Sequence, residues 1–233
     1  MPARADLRIA VVVPAFQAAM RVGAVVARTL ATVPGARVIV VDDGSTDGTG
    51  PVASAAGANV VRHDTNRGKG AALRSGVAEV APRQGSVIVT LDADGQHPPE
   101  AIPRLLGPIA EGRADLVLGA RERTAAMPLG RRLTNRLSAA LASRIAGQSI
   151  PDAQTGFRAF TGEVATLVRP PESHYEYEAA FLLEALARRV RVASVPIPTV
   201  YDGAPSHFRA VADTWRLARI FARYGQAILF GAT

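Results

Sequence analysis

The chain has no cysteine, a single lysine and few aromatic residues, and each shortage excludes something. Without thiols it can form no disulfide, thiolate metal site or cysteine nucleophile, and a reducing cytoplasm is the expected setting. Aromatic residues are 5% of 233. That is too few for the stacking platforms of nucleic-acid readers, and no basic, aromatic-studded recognition motif is present, so no nucleic-acid partner is expected. No apolar run reaches the about 18 residues of a bilayer span. Met1 to Arg8 alternates charge with small residues and leads directly into a strand-like segment, so no signal peptide is expected. The stretch Gly44 to Gly50 carries no lysine after its last glycine, which excludes a Walker loop. Gly68-Lys69-Gly70 has Leu73 where a dinucleotide fingerprint needs glycine. Hydride transfer and P-loop hydrolysis therefore lose their support.

What is present is a basic, apolar-rich chain. The net charge is +7 and hydrophobic residues make up 48%, enough for one sizeable core. Charge is uneven: residues 1–103 hold 10 basic and 9 acidic side chains, whereas residues 104–233 hold 17 and 11. A basic second half suits a phosphorylated substrate or an anionic membrane surface.

Short β-branched runs alternate with longer helical patterns. Strands are expected at 8–13, 36–41, 59–62, 86–91 and 115–120, and helices at 17–33, 47–57, 69–81, 99–112 and 131–146. Near-continuous apolar strands separated by helices predict an α/β fold with a mostly parallel, Rossmann-like sheet covered on both faces. Ligands in such sheets bind beyond the carboxyl ends of the strands. The polar clusters fall there: Pro14, Asp42 to Ser45, Asp64, Asp92 to Asp94, and Gly119 to Arg121.

Asp92-Ala93-Asp94-Gly95-Gln96-His97 follows the apolar run Val87 to Leu91. Two carboxylates and an amide oxygen at alternate positions suit Mg²⁺ or Mn²⁺, hard cations that commonly bridge substrate phosphates. An isolated motif of this kind also reads as a solvated acidic turn. Asp43 to Thr49 reads either as nucleoside contacts or as a helix N-terminus with Asp47 in its first turn. Lys69 stands alone against 26 arginines. A compact point charge at a helix start suits a diphosphate, and a chance surface lysine is the alternative.

Five segments occur in order: Val11 to Phe16, Val41 to Thr49, Asn66 to Gly70, Leu91 to Pro98, and Gln154 to Arg158. Together they resemble the family 2 inverting glycosyltransferases of the GT-A fold, within them the dolichyl- and polyprenyl-phosphate mannosyl- and glucosyltransferases. The resemblance runs from about residue 8 to about 215. It implies a nucleotide-sugar site at Pro14, Ala15, Phe16, Asp42 and Asp43, with Asp64 near the base. Lys69, Asp92 and Ala93 complete that site, and the metal ligands are Asp92, Asp94 and Gln96. It places the acceptor phosphate at Arg121 and Arg132, with Arg131, Arg158 and Arg209 as further candidates, and the catalytic roles at Asp94, Arg121 and Arg132. His97 is read as a loop-shaping residue or a further ligand.

The implied reaction moves a hexose to a polyprenyl phosphate, with mannose from GDP-mannose favoured over glucose from UDP-glucose. A phosphate monoester has a second pKa of about 6 and attacks as an anion, so it needs cationic grip rather than a protein base. Relatives with hydroxyl acceptors carry a carboxylate dyad where this chain has Tyr175-Glu176-Tyr177-Glu178. Transfer to a saccharide or small hydroxyl acceptor is the second reading, with Glu176 or Glu178 as base. A silent nucleotide-sugar-binding module is the third. Residues 1–205 are expected to form the catalytic domain. Residues 206–233 are expected to form an amphipathic basic helix that lies on a cytoplasmic membrane face, docks to a membrane-anchored partner, or packs on the sheet.

Overall fold

The computed structural model describes residues 7–80, 85–121, 129–198, 219–221 and 223–224. In the helix at 129–146 side chains are described at 136 and from 138 onward. Seven strands form one sheet: β1 (Arg8–Ala15), β2 (Arg37–Asp42), β3 (Asn59–Arg62), β4 (Ser86–Thr90), β5 (Leu116–Arg121), β6 (Arg158–Thr161) and β7 (Val192–Ile197). The helices are α1 (Ala19–Thr32), α2 (Thr49–Ala55), α3 (Lys69–Val80), α4 (Ile102–Ala110), α5 (Leu129–Ala146), α6 (Gly162–Leu167) and α7 (Tyr177–Ala187). The strand order is β3-β2-β1-β4-β6-β5-β7, with β6 antiparallel to both its neighbours and every other pairing parallel.

The period of two along the strands divides the core between the two faces of the sheet. Val11, Val13, Val38, Val40, Val87 and Val89 turn to one face, where α1 and α4 cover them with Val22, Val26, Ile102 and Leu105. Val12, Ile88, Leu116, Leu118 and Phe160 turn to the other, under Leu73 of α3 and Phe181 to Leu183 of α7. Both faces are apolar, so strands such as Val11-Val12-Val13 read as unbroken hydrophobic runs. α3 lies unusually close to the sheet because Gly76 carries no side chain where a Cβ would overlap Val12 Cγ1.

The five expected strands and five expected helices are present, their ends shifted by a few residues. β6 and β7 were not expected. β6 is four residues long and opens on a buried arginine, which carries no strand signal. β7 is an edge strand among the described residues and contains Pro196, which has no N–H to give to a ladder and is tolerated at a sheet edge. Of the expected helix at 206–233, residues 219–221 and 223–224 are helical, with Ile220 and Phe221 buried. The rest of that segment lies outside the described residues.

Candidate active site

The parallel strands β1, β2, β3 and β4 deliver the loops after them to one rim of the sheet. β6 runs the other way, so it is the loop before it, Gln154 to Phe157, that reaches this rim. Thr90 faces Arg158 across the β4–β6 ladder. The Thr90 hydroxyl donates to the Gly156 carbonyl at 2.7 Å and fixes that loop beside the end of β4.

At the centre is a trio of charges, Glu178 buried and Lys69 and Asp92 partly open to the rim. The Lys69 ammonium lies 2.7 Å from Asp92 Oδ1 and 2.6 Å from Glu178 Oε1. Burial alone would disfavour the ammonium, but Asp92 and Glu178 outweigh it and hold its pKa above the ordinary lysine range. Burial likewise pushes against an ionised Asp92, yet Lys69 and His97 keep its pKa below the usual carboxylate value, with a smaller contribution from Arg121. Gly156 makes room for the trio. A Cβ there would sit 2.9 Å from both Asp92 oxygens and from Lys69 Nζ.

Asp94 is half-buried, its Oδ1 accepting the Gln96 amide at 2.9 Å and its carbonyl accepting from Arg21 Nη1 at 3.3 Å. Burial and the adjacent Asp92 charge both raise its pKa. His97 is 3% exposed, with Nδ1 3.8 Å from Asp92 Oδ2 and neither ring nitrogen hydrogen-bonded among the described residues. Burial pushes its pKa down to about 4 against the pull of Asp92, so the ring is neutral at ordinary pH.

Two alternating carboxylates with the Gln96 amide one step beyond are hard oxygen donors that fit a divalent cation. Among the described residues no three His, Asp or Glu side chains converge into a self-sufficient metal cage. A two-carboxylate site of this kind completes its coordination from phosphate oxygens and water.

The loop after β2 is built for rigidity. Asp43 accepts from the Arg67 amide at 2.9 Å and the Gly68 amide at 2.8 Å, and its Oδ1 lies 2.6 Å from His63 Nδ1. Both its oxygens, expected at the nucleoside, therefore tie the loop after β3 to the loop after β2. Asp42 is fully buried, accepts the Ser45 amide at 2.9 Å, and has Arg62 Nη1 3.6 Å from its second oxygen. Asp47 accepts from the first amides of two helices, Ala19 of α1 at 3.0 Å and Thr49 of α2 at 3.0 Å; a helix does start in this segment, but Asp47 precedes its Gly48 cap and is not in the first turn as expected. Gly44 has φ +78° and abuts the Thr65–Asn66 backbone, so no side chain fits there. Asp64 and Phe16 are exposed at the rim, Pro14 is half-buried, and Ala15 and Ala93 are buried beneath it.

Lys69 does open α3, but the amides of that helix end are not free for a diphosphate. Gly70 and Ala71 donate to the Ser173 carbonyl at 2.8 and 3.2 Å, and Arg74 fastens the same strap by donating to the Glu172 carbonyl. The Lys69 side chain is the group of this helix end that reaches Asp92.

The expected phosphate-binding arginines have different surroundings. Arg121, 14% exposed, forms a two-pronged pair with Asp152, Nε to Oδ2 at 2.6 Å and Nη2 to Oδ1 at 3.2 Å. Arg158 is 3% exposed and donates to the carbonyls of Thr155, Glu178 and Ala153 at 2.7, 2.6 and 3.0 Å. Its guanidinium is a fastener between the 153–157 loop and α7, which is at odds with the phosphate-gripping role expected for it. Arg131 and Arg132 fall in the first turns of α5, where side chains are outside the described residues, and Arg209 is outside them entirely.

Sequence reading missed Asp152 and the pairing of Glu178 with Lys69. Neither had a local signal, because both partnerships join residues far apart in the chain. Nothing in the sequence marked Gly156 as the space-maker for Asp92, although its motif had been singled out.

The chain matches the model of glycosyl transferase family 2 over residues 10–166. It is 33% identical over 192 residues to the dolichyl-phosphate hexose transferase of Haloferax volcanii, covering 82% of each chain. It is 32% identical over 211 residues to the polyprenol monophosphomannose synthase of Mycolicibacterium smegmatis, covering 83% of this chain and 78% of that one. The match covers 59% of two other relatives, one of them, a glycosyltransferase of Haloferax volcanii, longer than this chain. Among solved structures, glucosyl-3-phosphoglycerate synthase from Mycobacterium tuberculosis, bound to Mn²⁺, UDP-glucose and phosphoglyceric acid, superposes with a TM-score of 0.75 at 26% identity. The match covers 94% of this chain and 80% of that one. With the seven-stranded GT-A architecture and an Asp92–Asp94 pair at the rim where donors bind in such sheets, the chain belongs to glycosyl transferase family 2 and is a glycosyltransferase.

Proposed function

We propose that the enzyme transfers a hexose from a nucleoside diphosphate sugar to a polyprenyl phosphate, with Mg²⁺ or Mn²⁺ held by Asp92, Asp94 and Gln96. The observation that carries this reading is the meeting of Asp92, Asp94 and Lys69 at one point of the rim. When bound, the cation supplies charge neutralisation for the departing diphosphate. The residues of the chain do the rest. Lys69 offers an ammonium, held charged by its carboxylates, to the pyrophosphate. The rigid loop fixed by Asp43, with Phe16 and Asp64 at its mouth, receives the nucleoside, and the base faces Asp64.

Acceptor choice follows from charge. Glu178, one of the two candidate bases of a hydroxyl-acceptor reaction beside Glu176, is 3% exposed and paired with Lys69, so it is poorly suited to take a proton from substrate. A phosphate monoester needs no such base. Arg121 is proposed to meet its phosphate, together with Arg131 and Arg132 at the start of α5 and Arg209 further along the chain. The names of the Haloferax and Mycolicibacterium relatives support a polyprenyl-type acceptor and a hexose, mannose being favoured. The Mn²⁺ and UDP-glucose in the Mycobacterium structure support a metal-dependent donor site.

No helix among the described residues is long and apolar enough to cross a membrane. Residues 206–233 are proposed to bring the enzyme to its lipid as a peripheral element on the cytoplasmic face or through a membrane-anchored partner. The test is a screen of GDP-mannose and UDP-glucose against a short polyprenyl phosphate, with the lipid product read by mass. Sugar on the lipid supports the reading; transfer only to free saccharides overturns it.

A further inference from the structure

The trio at the rim contains a group that the proposed reaction does not use. Glu178 lies in the first turn of α7, where the helix dipole favours a carboxylate, and its Oε1 is 2.6 Å from Lys69 Nζ. Both its oxygens are buried, and neither makes a well-aligned hydrogen bond among the described residues, so the ion pair to Lys69 is its close side-chain contact there. Arg158, the other cation close by, directs its hydrogens to backbone carbonyls and touches Glu178 only at its main-chain oxygen. A buried carboxylate so dependent on one ammonium is costly unless that ammonium stays.

Lys69 holds two carboxylates at once, Asp92 Oδ1 at 2.7 Å as well as Glu178. A divalent cation on Asp92 would compete with the ammonium for that oxygen and repel it. Resting on the donor-site reading above, we propose that Glu178 is the positioning residue for Lys69. When a divalent cation takes Asp92, Glu178 retains the ammonium in the pocket and lets its freed hydrogens turn to the donor's pyrophosphate. The charges agree with this exchange. With Asp94 beside them, three carboxylates and one ammonium leave the site negative, which repels a pyrophosphate, and a divalent cation neutralises it. The amides at the start of α3 are already taken by the Ser173 carbonyl, so the ammonium is what this helix end has to offer.

Lys69 is the chain's one lysine, so protein grown with ¹⁵N,¹³C-lysine reports on this side chain with a single set of signals. In the full-length wild type, Mg²⁺ with UDP or GDP should move the Lys69 signals saturably to a new, still immobilised position. In Glu178→Gln the same addition should bring them to the position of a mobile, solvated lysine. Calorimetry with Mg²⁺ should show UDP or GDP binding weakened about tenfold by Lys69→Met and by Glu178→Gln, with no further loss in the double variant. Losses that multiply in the double variant, or a Glu178→Gln signal that behaves like the wild type, would overturn the positioning role while leaving the donor site standing. A wild-type signal indifferent to Mg²⁺ and both nucleotides would overturn the donor-site reading and this inference with it, whether or not any variant folds.

Discussion

Adding one methyl group at Gly156 should damage catalysis far more than it damages the fold. The new Cβ would stand 2.9 Å from Asp92 Oδ1, Asp92 Oδ2 and Lys69 Nζ, about an ångström inside ordinary contact distance. The Gly156 backbone cannot retreat easily, because its carbonyl receives the Thr90 hydroxyl at 2.7 Å. Lys69 cannot retreat without leaving Glu178 at 2.6 Å, and Asp92 has buried His97 behind it, 3.8 Å away. The relief must come from the Lys69–Asp92 contact itself. Overpacking of this kind costs about 1–3 kcal/mol. At about 2–4 °C per kcal/mol for a domain of this size, the melting temperature of Gly156→Ala should fall by about 2–12 °C. A displacement near 1 Å at a reacting centre costs about 100-fold, and kcat/KM should fall by that order. The assay is single-substrate kinetics with saturating Mn²⁺, alongside Mn²⁺ affinity by EPR and thermal unfolding. Gly107→Ala inside α4, where an added Cβ meets only Glu111 Oε1 at 3.9 Å, is the control and should leave both quantities nearly unchanged. Activity of Gly156→Ala within twofold of the parent would refute the placing of this trio at the reacting centre.

Asp94→Ala should abolish turnover and cation-dependent donor binding while the melting temperature stays within a few degrees; near-normal activity would contradict its assignment as a ligand. Asp152 is buried, and although burial opposes its ionisation, Arg121 holds its pKa below the usual carboxylate range. A pKa lower in the folded than in the unfolded chain stabilises above the unfolded value of about 4 and is lost as pH falls through the folded value. Unfolding followed against pH should therefore show Asp152→Asn with a shallower acid limb than the parent, and an unchanged slope would count against the pair. Arg158→Met should cost stability before it touches acceptor affinity. It takes the donor from the loop carbonyls of Thr155 and Ala153, at about 1 kcal/mol or more each, while the Glu178 carbonyl keeps its place in α7; a thermal melt would read this as a loss of at least about 4 °C. Asp47→Ala removes the acceptor shared by α1 and α2 and should lower stability by about 1 kcal/mol, with kcat/KM little changed in the same preparation.

The first five strands were legible as short apolar runs, as Val11 to Val13 and Val38 to Val40 are on β1 and β2, set between longer segments of helical pattern. β6 was not, since four residues opening on Arg158 have no period to read; its place is decided by the ladders to β4 and β5 on either side. The position of the site at the carboxyl ends of β1 to β4 followed from topology, and Asp92 and Lys69 are found together there. What individual side chains hold did not follow. Asp43 and Arg158 were expected at substrate because they are charged residues in motif positions, yet both are engaged by backbone groups, Asp43 by amides of the loop after β3 and Arg158 by carbonyls of its own preceding loop and of α7. The Lys69–Glu178 and Arg121–Asp152 pairs join segments more than thirty positions apart or brought together only by the sheet, and no local pattern encodes them.

The most direct test of the account is a transfer assay with polyprenyl phosphate and a nucleoside diphosphate hexose, run with Mg²⁺ or Mn²⁺ and again with excess chelator. Hexosyl-phosphoryl lipid should form with the cation, vanish with the chelator and be absent for Asp94→Ala. Lipid product that persists without any divalent cation, or in the Asp94→Ala variant, would contradict the role given to the Asp92–Asp94 pair.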